Sequence, residues 1–200
     1  MMITKVYSHL KTVLRHKYYV YINCKKAGLL WRGIIHDLSK FTPTEFLESV
    51  KYYEGTRSPI DHCREETGIS KAWIHHKANN KHHYEYWIDI DPEGNKKPAQ
   101  MPYKDALEAV CDSLGAGMSY SINKGVPFSY RDEYYVWWTN KKAKTNDIND
   151  QTKQFWEMMY KTMKNENSND CLRRSRSKDI YNRAETIVKI RNNRRRMNNG

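Results

Sequence analysis

The chain has 200 residues and a formal net charge of +12, and 12% of its residues are aromatic. This length favours one domain with an appendage, and the aromatic content argues against disorder of the whole chain. No apolar run is long enough to predict a membrane span, and residues 1–10 lack the apolar core of a signal peptide, so we expect a cytoplasmic protein. The four cysteines are widely spaced, which argues against a zinc ribbon or a disulfide scaffold.

The positive charge is concentrated in the last third of the chain. Residues 1–139 contain 19 basic and 16 acidic residues, a net charge of +3, whereas residues 140–200 contain 16 and 7, a net charge of +9. The eight histidines have the opposite distribution and lie between His9 and His83. We therefore predict two parts. Residues 1–139 form the domain with the candidate functional residues, and residues 140–200 form a basic, partly helical C-terminal extension.

The first third of the chain has the apolar spacing of helices. Residues 2–23 form the first predicted helix, and a second runs from Leu29 to Leu38. Thr42 as an N-cap, Pro43 at the first position and Glu45 as the partner in a capping box predict a third helix, which ends near residue 53.

The middle of the chain adds helices, a turn and a long apolar stripe. Ser70 is a predicted cap for a helix through Trp73, and the Asp, Pro and Gly residues at 91–95 indicate a turn. Pro102 begins a long predicted helix. The aromatic segment 130–138 is predicted as a further helix that packs on the core or forms an interface in an oligomer.

The last part of the chain is more polar. Residues 140–154 are a predicted linker, and 155–163 a short amphipathic helix. We expect 164–178 to be mobile, and 180–196 to form a basic helix. The fold class that follows is all-α: a helical bundle with a basic helical C-terminal extension.

Three sequence features indicate chemistry. They are the motif His36-Asp37-Leu38-Ser39-Lys40, the histidine-rich segment 75–85, and Asp112 within an apolar helical stretch. His16 on the first helix is a fourth candidate. A lone histidine or aspartate is usually a surface group, but imidazole nitrogens and carboxylate oxygens on separate helices of a bundle suit divalent first-row metals.

The order of these residues resembles the HD-domain superfamily of metal-dependent phosphohydrolases. Its pattern is a His, a His-Asp doublet and a distant Asp, here found at His16, His36, Asp37 and Asp112. Lys40 extends the doublet to the His-Asp-x-x-Lys form that occurs in HD-GYP phosphodiesterases. The stretch 9–119 looks like an uncharacterised bacterial and phage branch of this superfamily.

The resemblance implies an HD-like helical bundle that binds one or two divalent ions: Mn, Fe, Co, Ni, Mg or Zn. His16, His36, Asp37 and Asp112 would hold the first ion. Asp37 would bridge to a second ion, whose remaining implied ligands are His76 or His75, His82 and His83. If Asn79 and Asn80 turn the chain, the pairs His75-His76 and His82-His83 both reach one site. If the helix is unbroken, its geometry does not decide whether His75 or His76 is the ligand.

The same resemblance implies catalytic roles for Asp37, Lys40 and Glu85. Lys40 follows Asp37 by three residues, close to one helical turn, and would steady a substrate phosphate. Arg32, Lys77 and Lys81 are further candidates for phosphate binding, and Glu85 would donate a proton or orient a histidine ligand.

Glu85 departs from the family pattern, because Tyr84 separates it from the histidine pair and the Gly-Tyr-Pro signature does not follow. Specificity for cyclic di-GMP is therefore not carried over.

The predicted function is hydrolysis of a phosphoester bond in a nucleotide or cyclic (di)nucleotide by a metal-bound hydroxide. The expected partner is a small phosphorylated substrate. One alternative is an HD-type di-iron oxygenase. Another is a nucleic-acid-binding protein or nuclease that uses the basic C-terminal segment.

Overall fold

The computed structural model describes residues 2–139 and 146–198. Over these ranges the protein is all-α, which confirms the predicted fold class. The α-helices of the described residues are α1 Met2–Lys26, α2 Leu30–Ile35, α3 Pro43–Lys51, α4 Pro59–Thr67, α5 Lys71–Asn79, α6 Tyr103–Lys124, α7 Tyr130–Trp137, α8 Asp150–Glu166 and α9 Arg174–Asn198. The only strands in the described parts of the chain are β1 Ile88–Ile90 and β2 Lys96–Pro98, which pair antiparallel around the predicted turn.

Helices α1 and α6 pack closely and in antiparallel orientation. Arg15 Nη1 donates a hydrogen bond to Asn123 Oδ1, and further along α1 Val20 lies against Gly115, which precedes Asn123 on α6. A Cβ at Gly115 would be 2.5 Å from Val20 Cγ2 and 3.0 Å from its backbone nitrogen. The glycine therefore sets how near the two helices approach, and these helices contribute His16 and Asp112.

The predicted second helix is shorter than expected. α2 ends at Ile35, His36 leaves the helical conformation with ψ of 129°, and Asp37 lies in the left-handed region with φ of 53°. A 3-10 turn over Leu38–Phe41 follows. Non-glycine residues adopt this region rarely, and such backbone strain is concentrated at functional sites.

The third helix begins at Pro43 as predicted, but the capping box is wrong. The Thr42 hydroxyl donates to the carbonyl oxygen of Ser39 and makes no cap bond. Glu45 is buried and contacts two histidines of α5 instead. Tertiary partners have replaced the local partner that the spacing suggested.

Helix α5 confirms the predicted cap, because Ser70 Oγ accepts from the backbone N–H of Trp73. The helix ends at Asn79, and Asn80 is extended. The helix is therefore interrupted between the pairs His75-His76 and His82-His83, which is the first of the two predicted arrangements. Further along the chain, a 3-10 turn over Tyr84–Trp87 leads directly into β1.

The C-terminal part of the chain is more ordered than its composition suggested. α8 begins at Asp150, so the linker prediction fails for 150–154, while 140–145 lie outside the described residues. The expectation of a mobile segment at 164–178 is wrong, because Cys171 and Leu172 in a 3-10 turn are fully buried. Apolar contacts with the rest of the core hold this polar stretch in place.

One cluster of buried residues includes members from both sides of the predicted boundary at 139/140. Leu114 of α6, Phe155 of α8 and Ala184 of α9 are all fully buried within it. In the aromatic segment 130–138, Trp137 is buried and Trp138 is exposed. Within the described ranges, no helix combines the length and the hydrophobicity that a membrane span requires.

The close approach at Gly115 predicts a sensitive position. Gly115→Ala should lower the free energy of unfolding by about 1–3 kcal/mol, because the added methyl meets the Val20 backbone, which cannot move aside cheaply. Gly117→Ala is the matched control on the same helix, since its methyl meets only the end of the Glu133 side chain. Urea denaturation of both variants measures the difference; equal stabilities would contradict this packing.

Candidate metal centre

Two groups of ligand atoms share one residue, Asp37. In each group the nitrogen and oxygen atoms lie within 4.8 Å of one another, which is compact enough to hold a metal ion. The first group consists of His16, His36, Asp37 and Asp112, and the second of Asp37, His76, His82 and His83. The structure therefore brings the residues within each of the two predicted ligand sets close together.

The first group joins α1, the end of α2 and α6. His16 Nε2 lies 3.1 Å from Asp112 Oδ1 and 3.6 Å from Asp37 Oδ2. His36 Nε2 lies 3.1 Å from the same Asp112 oxygen and 3.2 Å from Asp37 Oδ2. Two imidazoles therefore face two carboxylates across one small space.

The second group lies on the other oxygen of Asp37. Oδ1 is 3.5 Å from His76 Nε2 and 3.4 Å from His82 Nε2. The rings of His82 and His83 are adjacent, with centroids 4.3 Å apart. Because each carboxylate oxygen faces a different pair of imidazoles, Asp37 has the geometry of a bridge between two ions.

Several ligand atoms are buried without a hydrogen-bond partner in the described chain. They include Asp37 Oδ1 and Nε2 of His82 and His83, which all belong to the second group. An unsatisfied buried polar atom costs about 1–3 kcal/mol, and a cation would satisfy all of these acceptors together. The residues present therefore fit a metal ion.

Two histidines of the groups, His36 and His76, each contact a buried glutamate through Nδ1. His36 Nδ1 lies 3.0 Å from Glu108 Oε1, and His76 Nδ1 lies 2.7 Å from Glu45 Oε2. Glu108 also approaches His82 Nδ1 at 3.6 Å, so it contacts a histidine of each group. A carboxylate behind a metal-ligating histidine fixes the tautomer and turns Nε2 toward the ion.

Arg32 neutralises the charge behind His36. Its Nη1 donates to Asp105 Oδ1 at 2.7 Å and to Glu108 Oε2 at 2.9 Å. Burial alone would raise the pKa of Glu108, but His36, His82 and Arg32 hold it below its usual value. Glu108 is therefore an anion that both orients His36 and is itself held in place.

The charges at Asp37 are strongly coupled. Burial by itself would raise the pKa of Asp37, yet His36, Lys40 and His76 hold it well below its usual value. Burial would likewise lower the pKa of His36, but Asp37 and Asp112 raise it well above normal. Metal binding at His36 therefore requires the loss of a proton from its imidazole.

The histidines of the second group differ from His36. Burial is the main cause that lowers the pKa of His82 to about 4. Burial, with the neighbouring His82 and His76, lowers that of His83 well below its usual value. Both are neutral imidazoles at neutral pH, which is the form that binds metals.

Other predicted site residues lie elsewhere. His75 contacts Glu45 with Nδ1 at 2.7 Å and belongs to neither group. Glu85 has a buried oxygen, Oε2, without a hydrogen-bond partner among the described residues. Lys81 is exposed, with Nζ 5.6 Å from the Tyr86 ring centroid, and Lys77 is half-buried. A cavity adjoins the two groups, and these two lysines and Arg32 are absent from its described lining.

The sequence reasoning missed Glu45 and Glu108. Glu45 was assigned to a helix cap, and no local signal distinguishes that role from a contact with α5. Glu108 could have been found, because it precedes Asp112 by four residues and so lies on the same face of an apolar helix.

A cavity of about 200 Å³ adjoins the ligand groups. His16, His76, His83 and Asp112 of the two groups line it, and so does Lys40. The remaining described lining residues come from α1, α3 to α6 and the loop before α4: His9, Thr12, Val13, Glu45, Ser49, Tyr53, Ser58, Pro59, Ile60, Trp73, Ala116, Ser119 and Tyr120. A small molecule in the cavity would therefore contact both the metal ligands and an amine.

Residues 5–164 match the model of a family of unknown function, DUF5662, and the chain therefore belongs to this family. No curated protein matches the chain, and no solved structure matches it either.

The contact between Glu108 and His36 predicts an effect on metal affinity. Glu108→Gln should weaken metal binding roughly tenfold or more, because His36 loses the carboxylate that orients it. Asp105→Asn is the matched control, since it removes the other carboxylate on Arg32 without touching His36. Calorimetric titration with Mn²⁺ compares the two; equal affinities would contradict the orienting role of Glu108.

Proposed function

We propose that this DUF5662 family member is a metal-dependent phosphohydrolase of the HD type. Its substrate is a small phosphorylated molecule, such as a nucleotide. The observation that carries the proposal is the position of Asp37, whose two carboxylate oxygens face separate groups of buried imidazoles. Such a bridge between two ligand groups is what a two-metal hydrolase requires.

In this proposal His16, His36, Asp37 and Asp112 hold one ion. The second ion is held by Asp37 together with His76, His82 and His83. Divalent ions, when bound, lower the pKa of water and stabilise negative charge on phosphoryl oxygens. Nitrogen and oxygen ligands without a thiolate are compatible with Mn, Fe, Co, Ni, Mg or Zn.

Lys40 is the proposed phosphate-binding residue. Its Nζ lies 2.6 Å from Asp37 Oδ2, and the side chain lines the cavity. Asp37 raises the pKa of Lys40 despite its burial, so the amine carries a proton and a positive charge. An ammonium beside the bridging carboxylate can bind a phosphoryl oxygen and orient it toward the ligand groups.

The alternative functions use different parts of the molecule. A di-iron oxygenase would use the same ligand groups, and iron-dependent oxygen uptake would identify it. A nucleic-acid-binding role would use the end of α9, where the side chains of Arg194, Arg195 and Arg196 are exposed. Those arginines lie outside the described lining of the cavity, so we assign them no part in the proposed reaction.

The proposal predicts that hydrolysis depends on Asp37. Purified protein loaded with Mn²⁺ should release phosphate from at least one member of a panel of phosphomonoesters, cyclic nucleotides and dinucleotides. Asp37→Ala should lose bound metal and at least a hundredfold in kcat/KM, because both ligand groups lose the residue that they share.

His75→Ala is the control for that comparison. His75 neighbours the ligand His76 and contacts Glu45 but belongs to neither group, so the variant should retain bound metal and activity within a few-fold of wild type. Metal analysis together with the hydrolysis assay distinguishes the outcomes. Metal content and activity that are independent of Asp37 would refute the proposal.

A further inference from the structure

The cavity has unpaired polar atoms away from the ligand groups. His9 and Ser119 line it and are 5% and 1% exposed. His9 Nδ1 and Ser119 Oγ have no hydrogen-bond partner within the described chain. Of the described lining residues outside the two groups, these are the ones with a buried, unpartnered side-chain atom.

These two residues are displaced from the ligand groups in the same direction. His9 precedes His16 by seven residues on α1, and Ser119 follows Asp112 by seven residues on α6. Seven residues are two helical turns, or about 10 Å along each axis. Because α1 and α6 are antiparallel, both residues lie toward the N-terminal end of α1.

Neighbouring polar groups at this end of the cavity already have partners. The Thr12 hydroxyl lies 2.6 Å from the Tyr53 hydroxyl, and Asn123 Nδ2 donates to Thr12 Oγ1. The His9 ring packs against the rings of Phe46 and Tyr53, with both centroids 5.3 Å away. His9 is thus held in position by aromatic contacts while one ring nitrogen stays available.

The electrostatics of this end favour an uncharged ligand group. Burial, with a smaller effect of Lys40, lowers the pKa of His9 to about 4, so the imidazole is neutral at neutral pH. Lys40 is the one lysine or arginine among the described lining residues, and it lies against Asp37. A second phosphate at this end would therefore have no cation to pair with.

We propose that His9 and Ser119 form a distal subsite that hydrogen-bonds an uncharged polar edge of the substrate's leaving group. The inference rests on the proposed function, which places the phosphoryl group at Lys40 and the ligand groups. Tyr53, Trp73 and Tyr120 supply aromatic walls along the same cavity, so a flat heteroaromatic leaving group fits its chemistry. A monophosphate is favoured over a substrate with a second, distal phosphate.

The test compares three substrates: deoxyadenosine 5′-monophosphate, phenyl phosphate and deoxyadenosine 3′,5′-bisphosphate. Phenyl phosphate has an aromatic leaving group but no hydrogen-bonding edge. In wild type, kcat/KM should be at least tenfold higher for the nucleoside monophosphate than for either of the others. His9→Phe and Ser119→Ala should each lower kcat/KM for the monophosphate about tenfold, mainly through KM.

Both variants should hydrolyse phenyl phosphate within about twofold of wild type, which also shows that they fold and bind metal. Ser121→Ala is the control, because Ser121 follows Ser119 by two residues on α6 but lies outside the described lining of the cavity. It should leave all three substrates unaffected. Equal losses on the monophosphate and on phenyl phosphate, or no loss on either, would overturn the distal subsite.

Binding of deoxyadenosine distinguishes a failure of the distal subsite from a failure of the proposed function. Calorimetric titration with deoxyadenosine, which has no phosphate, should show about tenfold weaker binding to His9→Phe and Ser119→Ala than to wild type. If wild type hydrolyses none of the phosphate esters but shows this difference, the subsite holds and the proposed function fails. If wild type and variants bind deoxyadenosine equally, or none binds it, the subsite is refuted.

Discussion

The arrangement around the Asp37 carboxylate is the constraint on which the rest of the site depends. The group is buried, its two oxygens face different sets of imidazoles, and its backbone is in the left-handed region. A buried anion with few hydrogen bonds is costly unless cations surround it. His36 and Lys40 already act in this way, and metal ions would do so more completely. The position of Asp37 therefore costs stability unless the surrounding cations offset it.

That position is produced by packing that extends well beyond the site. The contact between Gly115 and Val20 brings α1 close to α6, and with them His16 and Asp112. Asp112 and Glu108 on α6 then face His36, while Glu45 on α3 turns His76 of α5 toward Asp37. Helices from several parts of the chain thus converge on one carboxylate, in the manner of metal sites built within helical bundles.

The sequence predicted the all-α class for a physical reason, whereas the family resemblance supplied the residues that the structure brings together in two groups. Periodic apolar residues and the cap at Ser70 depend on near neighbours, so most helices and this cap could be predicted. Glu45 matched a capping box by spacing, but its partners are 30 residues away, which spacing alone does not reveal. The order of segment 164–178 was missed for a similar reason, since the burial of Leu172 depends on contacts with distant helices. The left-handed conformation of Asp37 had no local signal beyond the tolerance of aspartate for this region.

Anomalous diffraction from crystals grown with Mn²⁺ tests the central claim most directly. The account predicts two peaks, one among His16, His36 and Asp112 and the other among His76, His82 and His83. Asp37 should coordinate both ions, with one oxygen each. A single ion that leaves one group unligated would contradict the bridging role of Asp37. The absence of any ion at these histidines, in crystals where Mn²⁺ binds elsewhere, would contradict the metal centre itself.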